Sequence, residues 1–441
     1  MAPGLVTAAR LDVDQVRAAF PALSMGTAHF DGPGGSQVPR SVAAAVAEAM
    51  TSGLANRGTI TDAERRSDAI VRMGRDAVAD LVGGVGDDVV FGRSMTQLTY
   101  DLARALAKGW GEGDEVVVTR LDHDANIRPW VQAATVAGAT VRWAEFDPHS
   151  AELPVEAVTS VLSERTRLVA VTAASNLVGT RPDVAAISAA AHAVGALVFV
   201  DGVHLTPHAT VDIDAIGADV FACSPYKFFG PHLGCLIGAP GVLQRISPDK
   251  LLPSPDTVPE RFELGTLPYE LLAGTTAAVD FIADLAGGAG TRRERLVASM
   301  AAVEQHEQAL FERLLGQPGE ISGVTLHGHP RSRTPTVLFS VQGFSPREVH
   351  ERLAVSGINA PGGSFYALEA SRRLGLGDAG AVRAGLAPYT DAGDVDRLVN
   401  PLYHGAPGRE TKLTASLRTG KFGQVAPKSC REARRRCALD P

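Results

Sequence analysis

The fold is decided by the stretch Phe221-Ala-Cys-Ser-Pro-Tyr-Lys-Phe-Phe-Gly-Pro-His-Leu-Gly-Cys-Leu-Ile-Gly238. It puts one lysine, Lys227, where an apolar strand gives way to glycine- and proline-rich backbone. An earlier apolar strand, Ala196-Leu-Val-Phe-Val200, ends in Asp201-Gly-Val-His204. The residues that come after parallel strands lie at the same edge of a sheet, so we predict that Lys227 and Asp201 share one site.

An amine and an acid at one sheet edge predict pyridoxal 5′-phosphate as a cofactor. An amine that leaves an apolar strand is partly desolvated, which lowers its pKa and makes it a usable nucleophile. Such an amine forms a Schiff base with the cofactor's aldehyde, and the acid keeps the ring nitrogen protonated so that the ring can draw electrons. Either residue alone has a simpler interpretation, as a surface lysine or as an aspartate that caps a turn.

Composition sets the broad class. The chain has 441 residues, enough for two domains, with 45% hydrophobic and 21% charged residues, as in an ordinary soluble globular protein. Its net charge of −7 argues against nucleic acid or an anionic membrane as the main partner. The four cysteines form neither a disulfide framework nor a zinc-site spacing, so we predict no metal. Neither a secretory signal nor a membrane-length apolar run is evident, and we predict a cytoplasmic protein.

Apolar strands alternate with amphipathic helices from about residue 40 to residue 240, which predicts an α/β fold with a mostly parallel sheet between helices. We expect the last strand, Leu233–Gly238, to return at the sheet edge, and Arg372–Leu374 to lie in a loop. The predicted divisions are residues 1–30 (an N-terminal segment packed on the small domain), 31–268 (a large cofactor domain), 269–404 (a smaller α+β domain) and 405–441 (a basic, disordered tail). The strands expected in the large domain are Asp88–Phe91, Glu115–Thr119, Thr140–Ala144, Leu168–Thr172, Leu197–Val200, Val220–Ser224 and Leu233–Gly238.

Other polar residues come after the predicted strands and belong to the same rim. The turn Arg93-Ser-Met-Thr-Gln97 opens a helix and suits phosphate, although Ser94 or Thr96 could simply cap that helix. His123 could lie flat on an aromatic cofactor or be a turn histidine bonded to the backbone. Asn176 can donate to a phenolate oxygen or to a carboxylate. Arg383 could clamp an α-carboxylate with two parallel hydrogen bonds, or be a surface arginine.

Taken together, these segments resemble the class V aminotransferase fold group of pyridoxal phosphate enzymes, in its cysteine desulfurase and selenocysteine lyase branch. The likeness runs from about Phe20 to about Leu402. It is carried by Phe20-Pro-Ala-Leu23, Phe30-Asp-Gly-Pro-Gly-Gly-Ser36, Asn56-Arg-Gly58, the His123 segment, Ser175-Asn-Leu-Val-Gly-Thr180, Val200-Asp-Gly-Val-His204, Ser224-Pro-Tyr-Lys-Phe-Phe-Gly-Pro231 and Phe262-Glu-Leu-Gly-Thr266.

The resemblance implies the fold type I architecture of pyridoxal phosphate transferases and a role for each matching residue. Lys227 matches the Schiff-base lysine, Asp201 the partner of the pyridine nitrogen, and His123 the residue stacked on the ring. Thr266 matches a threonine that reaches the phosphate of a neighbouring subunit, which implies a homodimer. The remaining matches are the phosphate ligands Thr96 and Ser224, and the substrate-carboxylate ligands Asn176 and Arg383.

The chain departs from the family pattern at several cofactor positions. His204 stands where the family usually has Gln beside the phenolic oxygen, and a neutral imidazole can still donate one hydrogen bond there. Tyr226 replaces the His that precedes the lysine, and its hydroxyl could replace that phosphate ligand. Met95 replaces one Thr of the phosphate turn, which leaves the backbone amide unchanged.

The largest departure concerns sulfur. Desulfurases carry a loop cysteine that takes the substrate sulfur as a persulfide, and Tyr366 occupies the matching position here, with Pro361 at the usual arginine. No cysteine lies between Cys235 and Cys430. We therefore predict an enzyme that acts on a small amino acid through an external aldimine, as a C–S or C–Se lyase, an epimerase or an aminotransferase, without persulfide formation. The alternative is a catalytically silent scaffold, for which the basic tail would be a docking segment.

Overall fold

A computed structural model describes residues 11–316 and 321–405. Its largest sheet has seven strands in the order β2-β8-β7-β6-β5-β3-β4. The predicted α/β architecture with a mostly parallel sheet is confirmed. The strands are β2 Val89–Gly92, β3 Glu115–Thr119, β4 Thr140–Ala144, β5 Thr166–Thr172, β6 Leu197–Asp201, β7 Val220–Cys223 and β8 Gly234–Gly238.

The five strands from β7 to β4 run parallel to their neighbours, and β8 runs antiparallel to both β7 and β2. The expectation that Leu233–Gly238 would be an edge strand is therefore wrong, because β2 pairs along its outer side. The short strand β2 is the first of this sheet in the chain but lies at the far edge. Sequence order does not reveal such a crossover.

Side chains of the central strands alternate between two buried layers, as the strand pleat requires. Val116 and Val118 of β3 face the helices α4 (Met95–Ala107) and α5 (Arg128–Ala137). Val117, between them, faces the opposite layer. The helices of that layer are α2 Arg40–Thr51, α3 Asp62–Val82, α7 Val184–Ala193, α8 Tyr269–Ala283 and α9 Arg292–Leu315, with α6 Val155–Thr159 beside α7.

A second, four-stranded antiparallel sheet has the order β12-β13-β10-β9. Its own core packs Val337 and Phe339 against helices α10 and α12. The elements are β9 Val324–Leu326, β10 Thr336–Val341, α10 Pro346–Val355, β12 Gly362–Gly363, α11 Leu368–Arg373, β13 Ala381–Gly385 and α12 Ala392–Gly405. Arg372, expected in a loop, lies in helix α11, and that expectation is wrong.

The N-terminal part of the described chain joins this smaller sheet region. Helix α1 (Val13–Ala18) leads to strand β1 (Ala28–His29), which pairs in parallel with β11 (Ile358–Asn359). The proposed domain boundaries stay a prediction, and the tail predicted at residues 405–441 lies almost entirely outside the described residues. None of the helices in the described ranges combines the length and apolarity that crossing a bilayer requires.

Candidate active site

A cavity of about 780 Å³ opens at the carboxyl ends of the parallel strands, between the two sheets. It contains both Lys227 and Asp201. Strands β6 and β7 are neighbours with Asp201 opposite Ala222, so the residues after them reach the same edge. The other predicted site residues that line this cavity are Met95, Thr96, His123, Asn176, His204, Ser224, Tyr226 and Arg383. Their proposed roles stay predictions.

Lys227 ends a short 3₁₀ turn, Pro225–Lys227, directly after β7. Its ammonium donates to the carbonyl oxygen of Pro33, and Nζ lies 4.9 Å from the centre of the Tyr226 ring. Burial and, to a lesser degree, the nearby Arg383 cation lower the pKa of Lys227 to about 7, against the opposing effect of Asp31 and Asp201. The structure thus holds a lysine with a large neutral fraction near neutral pH.

Asp201 is the last residue of β6 and is only 5% exposed. Burial raises its pKa to about 6, although the amide of Val203 donates to Oδ1 at 3.0 Å and Lys227 is a nearby cation. A buried carboxylate of this kind is stabilised by a cationic N–H partner. A protonated pyridine ring would supply that partner.

His123 comes after β3 and makes the backbone contact of a turn histidine, while its predicted stacking on a cofactor stays a prediction. Its Nδ1 accepts from the amide of Ala125 at 3.0 Å, as a turn histidine would, and its ring also lines the cavity. Burial, with Lys227 and Arg383 nearby, lowers the pKa of His123 to about 3, so the ring is neutral. Because Nδ1 accepts, the neutral ring carries its proton on Nε2.

The start of α4 lines the cavity through Ser94, Met95 and Thr96. Ser94 caps the helix by accepting from the amide of Gln97 at 3.1 Å, and Thr96 is exposed toward the opening. Gly234 of β8 passes directly beneath this turn: a Cβ there would lie 2.2 Å from the Met95 nitrogen. Only glycine fits at that position. Gly234 was not predicted as a site residue, although it lies within the stretch that decided the fold.

Tyr226 also lines the cavity, as a half-buried ring whose burial raises its pKa. It stacks on His232 with centroids 5.0 Å apart and planes 14° apart. Ser224, the residue before the 3₁₀ turn, is buried and also lines the cavity. These two hydroxyls line the same cavity as the α4 turn, and hydroxyls and backbone amides are groups that bind phosphate.

Arg383, in strand β13, is 2% exposed and not a surface arginine. Nη2 donates to Asp31 Oδ1 at 2.7 Å, and Nη1 donates to the carbonyl oxygen of Asn176 at 3.0 Å. The ring of Phe365 covers the guanidinium at 3.8 Å, a cation–π contact. Nε is buried without a partner among the described residues, as is Oδ1 of Asn176. A carboxylate and a donor would satisfy these two atoms.

The loop of residues 361–367 closes one side of the cavity. The Asn176 side chain donates to the carbonyl oxygen of Phe365 at 2.9 Å, and the amide of Asp124 donates to that of Tyr366 at 2.7 Å. Phe365 and Tyr366 have φ of 54° and 58°, a left-handed conformation that non-glycine residues adopt at a cost. Tyr366 is 76% exposed at the mouth, with its ring 5.5 Å from that of His123.

An ion-pair cluster ties this loop to the large sheet. Glu369 of α11 accepts from Arg128 Nη2 at 2.5 Å and from Arg120 Nη1 at 2.6 Å. Arg128 also binds Asp124 Oδ1 at 2.8 Å and lines the cavity. Three residues of the site, Arg128, Asp31 and Phe365, were not predicted from the sequence. Of these, Asp31 and Arg128 lie inside segments that carry the family resemblance, the one at Phe30–Ser36 and the His123 segment at Asp122–Trp130, and those segments could have indicated them.

Thr266 is the one predicted site residue that does not line this cavity. It is exposed, on the segment after Glu263. Glu263 is held by Arg75 Nη2 at 2.8 Å and accepts from the amide of Phe91 at 3.0 Å, so the segment that carries Thr266 is fixed to the large domain. Its predicted role concerns a neighbouring subunit and stays a prediction.

Comparison with known proteins shows the family to which the chain belongs. The family model for aminotransferase class V matches residues 28–398. The chain belongs to the class V aminotransferase family. It is 38% identical over 397 residues to an uncharacterized protein of Mycobacterium tuberculosis (strain CDC 1551 / Oshkosh), with 89% of this chain and 98% of that protein covered.

Two further class V comparisons agree. An aminotransferase-like protein, FGM3, from Gibberella zeae is 32% identical over 407 residues, with 89% of this chain and 98% of FGM3 covered. The crystal structure of the cysteine desulfurase CsdA from Escherichia coli superposes with a TM-score of 0.77 at 25% identity, covering 88% of this chain and 97% of CsdA. The predicted resemblance is confirmed, and this member of the class V aminotransferase family is a pyridoxal phosphate-dependent enzyme.

The residues present fit that cofactor. The cavity offers a desolvated amine, a buried carboxylate, a neutral flat ring and a helix N-terminus with hydroxyls beside it. His204 Nδ1 is buried without a partner among the described residues, which leaves one further polar atom for the cofactor to satisfy. Unsatisfied buried polar atoms are rare in folded proteins, so such an atom on a cavity wall indicates a bound group.

Proposed function

We propose that this member of the class V aminotransferase family acts on a small amino acid, with Lys227 as the residue that holds the cofactor and moves the substrate proton. The observation that supports this most strongly is a lysine whose pKa is lowered to about 7 in the same cavity as the buried carboxylate of Asp201. A neutral amine near neutral pH is both a nucleophile and a base.

The cofactor, when bound, withdraws electrons from the substrate Cα through its protonated ring. Asp201 would hold the ring nitrogen in its protonated state, and the neutral ring of His123 would lie against the pyridine. The α4 turn at Ser94–Gln97 with Ser224 and Tyr226 would bind the phosphate through backbone amides and hydroxyls. The amine of Lys227 would then take the proton from Cα.

Arg383 and Asn176 would bind the substrate carboxylate. Support comes from the unpartnered Nε of Arg383 and from the charge of its buried guanidinium. Asn176 could bind a carboxylate only through its donor Nδ2, which here donates to the carbonyl oxygen of Phe365. Asp31 already neutralises part of that charge. A substrate carboxylate would therefore share Arg383 with Asp31, which favours amino acids that carry a single carboxylate.

The fate of the substrate after proton removal is proposed as β-elimination of a sulfur or selenium group, with epimerisation and transamination as the other outcomes. Tyr366 stands at the cavity mouth where a desulfurase-type acceptor cysteine would be needed, and a phenol cannot form a persulfide. Cys223 and Cys235 are fully buried in β7 and β8, and no cysteine among the described residues lines the cavity.

A substrate panel tests this proposal. The purified, cofactor-loaded protein is mixed with amino acids one at a time, while the visible absorbance, released thiol or selenide, keto acid and enantiomeric excess are followed. We expect a spectral response and one of these products with at least one small amino acid. A loaded protein that responds to none of them would contradict an enzymatic function and favour a scaffold.

A persulfide assay tests the sulfur prediction separately. After incubation with cysteine, the protein is alkylated and its intact mass measured. We expect no protein-bound sulfur. Detection of a persulfide on any cysteine would overturn the proposed lack of desulfurase-type acceptor chemistry, without affecting cofactor use.

We also propose a homodimer in the cytoplasm. The match of Thr266 to a threonine that reaches a neighbouring subunit's phosphate supports the dimer, as does the exposure of Leu251, Leu252 and Leu264 near that segment. The two described cysteines are free thiols, which agrees with a reducing compartment.

A further inference from the structure

His204 lies on the cavity wall with an imidazole that is almost fully buried, at 3% exposure. Its Nε2 lies 3.2 Å from the hydroxyl of Thr336 and 3.0 Å from that of Thr334, both in or next to strand β10. Nδ1 is buried and has no partner among the described residues. One side of the ring is thus held by the smaller sheet and the other side is free.

The hydroxyl hydrogens decide which ring nitrogen carries the proton. Thr334 can donate to the carbonyl oxygen of Gly179, 3.3 Å away. The hydroxyl of Thr336 is fully buried, and the acceptor that the described structure offers it is Nε2 of His204. If Nε2 carried a hydrogen, the Thr336 hydroxyl would be a buried donor without an acceptor, which is unfavourable. Nε2 therefore accepts, and the proton sits on Nδ1.

The charged groups around His204 keep the ring neutral. Burial lowers its pKa well below the ordinary value, and His208, Arg383 and Lys227 act in the same direction. Behind it, His208 Nδ1 is bonded to Glu307 Oε2 at 2.9 Å in a pair that is itself buried. A cation at His204 would have no carboxylate in direct contact among the described residues. The ring therefore keeps one proton, and Thr336 determines its position.

We propose that Thr336 is a positioning residue that fixes the Nδ1–H tautomer of His204, so that His204 donates a hydrogen bond to the phenolic oxygen of the cofactor. A glutamine at this position, as the family usually has, carries its donor on the amide nitrogen and needs no such selection. A neutral histidine can donate from either ring nitrogen, so a neighbouring group must determine which nitrogen carries the proton. The inference rests on the proposed cofactor role of this cavity.

A double-mutant cycle tests the coupling. Thr336→Val removes the hydroxyl at nearly constant volume, in the wild-type protein and in His204→Gln. The readouts are the pKa of the bound cofactor's visible absorption band and the rate of cofactor dissociation. In the wild-type background we expect the band's pKa to rise by about one unit, the size of one lost hydrogen bond to a charged oxygen, and dissociation to accelerate about tenfold. In His204→Gln we expect no change in either.

Equal shifts of the band's pKa in both backgrounds would make Thr336 merely structural and overturn the inference. The inference would also be overturned if Thr336→Val changed neither readout in either background. Thr336→Ser, which keeps the hydroxyl, should behave as wild type. If Thr336→Val does not fold, the ¹⁵N shifts of His204 in histidine-labelled wild-type protein decide instead: the proton is expected on Nδ1, and finding it on Nε2 overturns the inference. A wild-type protein with no absorption band would overturn the proposed cofactor role, a visibly different result.

Discussion

Burial is the main cause of the shifted pKa values of Lys227 and Asp201, the two residues that define the site. It lowers the pKa of Lys227 to about 7 and raises that of Asp201 to about 6, so that the cavity disfavours both charges before any ligand enters. A bound cationic ring would remove the penalty on Asp201. This meeting of Lys227 and Asp201 could be predicted from the sequence, because each comes at the end of a buried strand or just after one. Arg383 was expected at this rim, but the strand that carries it was not predicted, because the short strand β13 has no distinctive pattern.

The lowered pKa of Lys227 predicts a pH-dependent stability of the cofactor-free protein. Its folded pKa of about 7 lies below its ordinary value of 10.5, so its contribution to stability is present above pH 10.5 and is lost as the pH falls toward 7. Lys227→Met should therefore stabilise the apo-protein most near and below pH 7. Urea unfolding of both proteins across this range measures the difference.

Lys108→Met is the surface control, because Lys108 is half exposed and pairs with Asp249. Unfolding curves of wild type and Lys227→Met that differ by the same amount at pH 7 and at pH 10 would contradict the buried, neutral lysine.

The contacts of Arg383 predict that even the conservative substitution Arg383→Lys lowers the affinity for substrate. Lys cannot keep the bonds to Asp31 and Asn176 and also lie flat under Phe365. Arg383→Lys should weaken binding of amino acids by at least about tenfold, one lost charge-assisted bond, while the absorption band remains. Spectral titration with the best substrate measures it.

The matched control is Arg313→Lys, because Arg313 makes a two-nitrogen contact with Asp396 far from the cavity. If both variants kept wild-type affinity, Arg383 would not be a carboxylate ligand.

The helices and strands differ in how well their bounds could be predicted from the sequence. Strands β3 and β4 have the bounds that their sequence patterns predicted, because each is a β-prone run between turn residues. The two-residue strands β11 and β12 are too short to carry a pattern. The closure of the loop at residues 361–367 depends on partners distant in sequence, such as Asn176 and Asp124.

The close contact between β8 and the start of α4 predicts that Gly234 does not tolerate a larger side chain. Gly234→Ala would put Cβ 2.2 Å from the Met95 nitrogen, so the phosphate turn must shift. Overpacking of this kind costs about 1–3 kcal/mol. We expect a lower melting temperature and about a tenfold loss of cofactor affinity, measured by fluorescence titration of the apo-protein. Gly111→Ala, with open space around its Cβ, is the control and should change neither.

At the scale of the whole molecule, the two sheets meet at the cavity, and each contributes residues that the other lacks. Lys227 and Asp201 come from the large sheet, and Arg383 and Thr336 from the small one. The sequence predicts a large and a small domain, and their boundaries stay a prediction. It could not predict that β1 would pair with β11, since that contact spans most of the chain.

The proposed homodimer predicts a particle of twice the 46.1 kDa chain mass in light scattering. Double substitution of Leu251 and Leu252 by Asp, on the exposed apolar segment, should reduce the mass toward one chain and accelerate cofactor loss. The exposed Val136, on the outer surface of α5, provides the matched control, Val136→Asp. A wild-type protein with the mass of one chain would contradict the dimer.

The most direct measurement is a peptide map of the reduced protein. The chain has six lysines, so borohydride reduction of the loaded protein followed by proteolysis and mass spectrometry can assign any attached cofactor to one of them. We predict the cofactor mass on the peptide that contains Lys227, and its loss in Lys227→Ala with the fold retained. Attachment to Lys108 or Lys250, or persistent attachment in Lys227→Ala, would contradict the account.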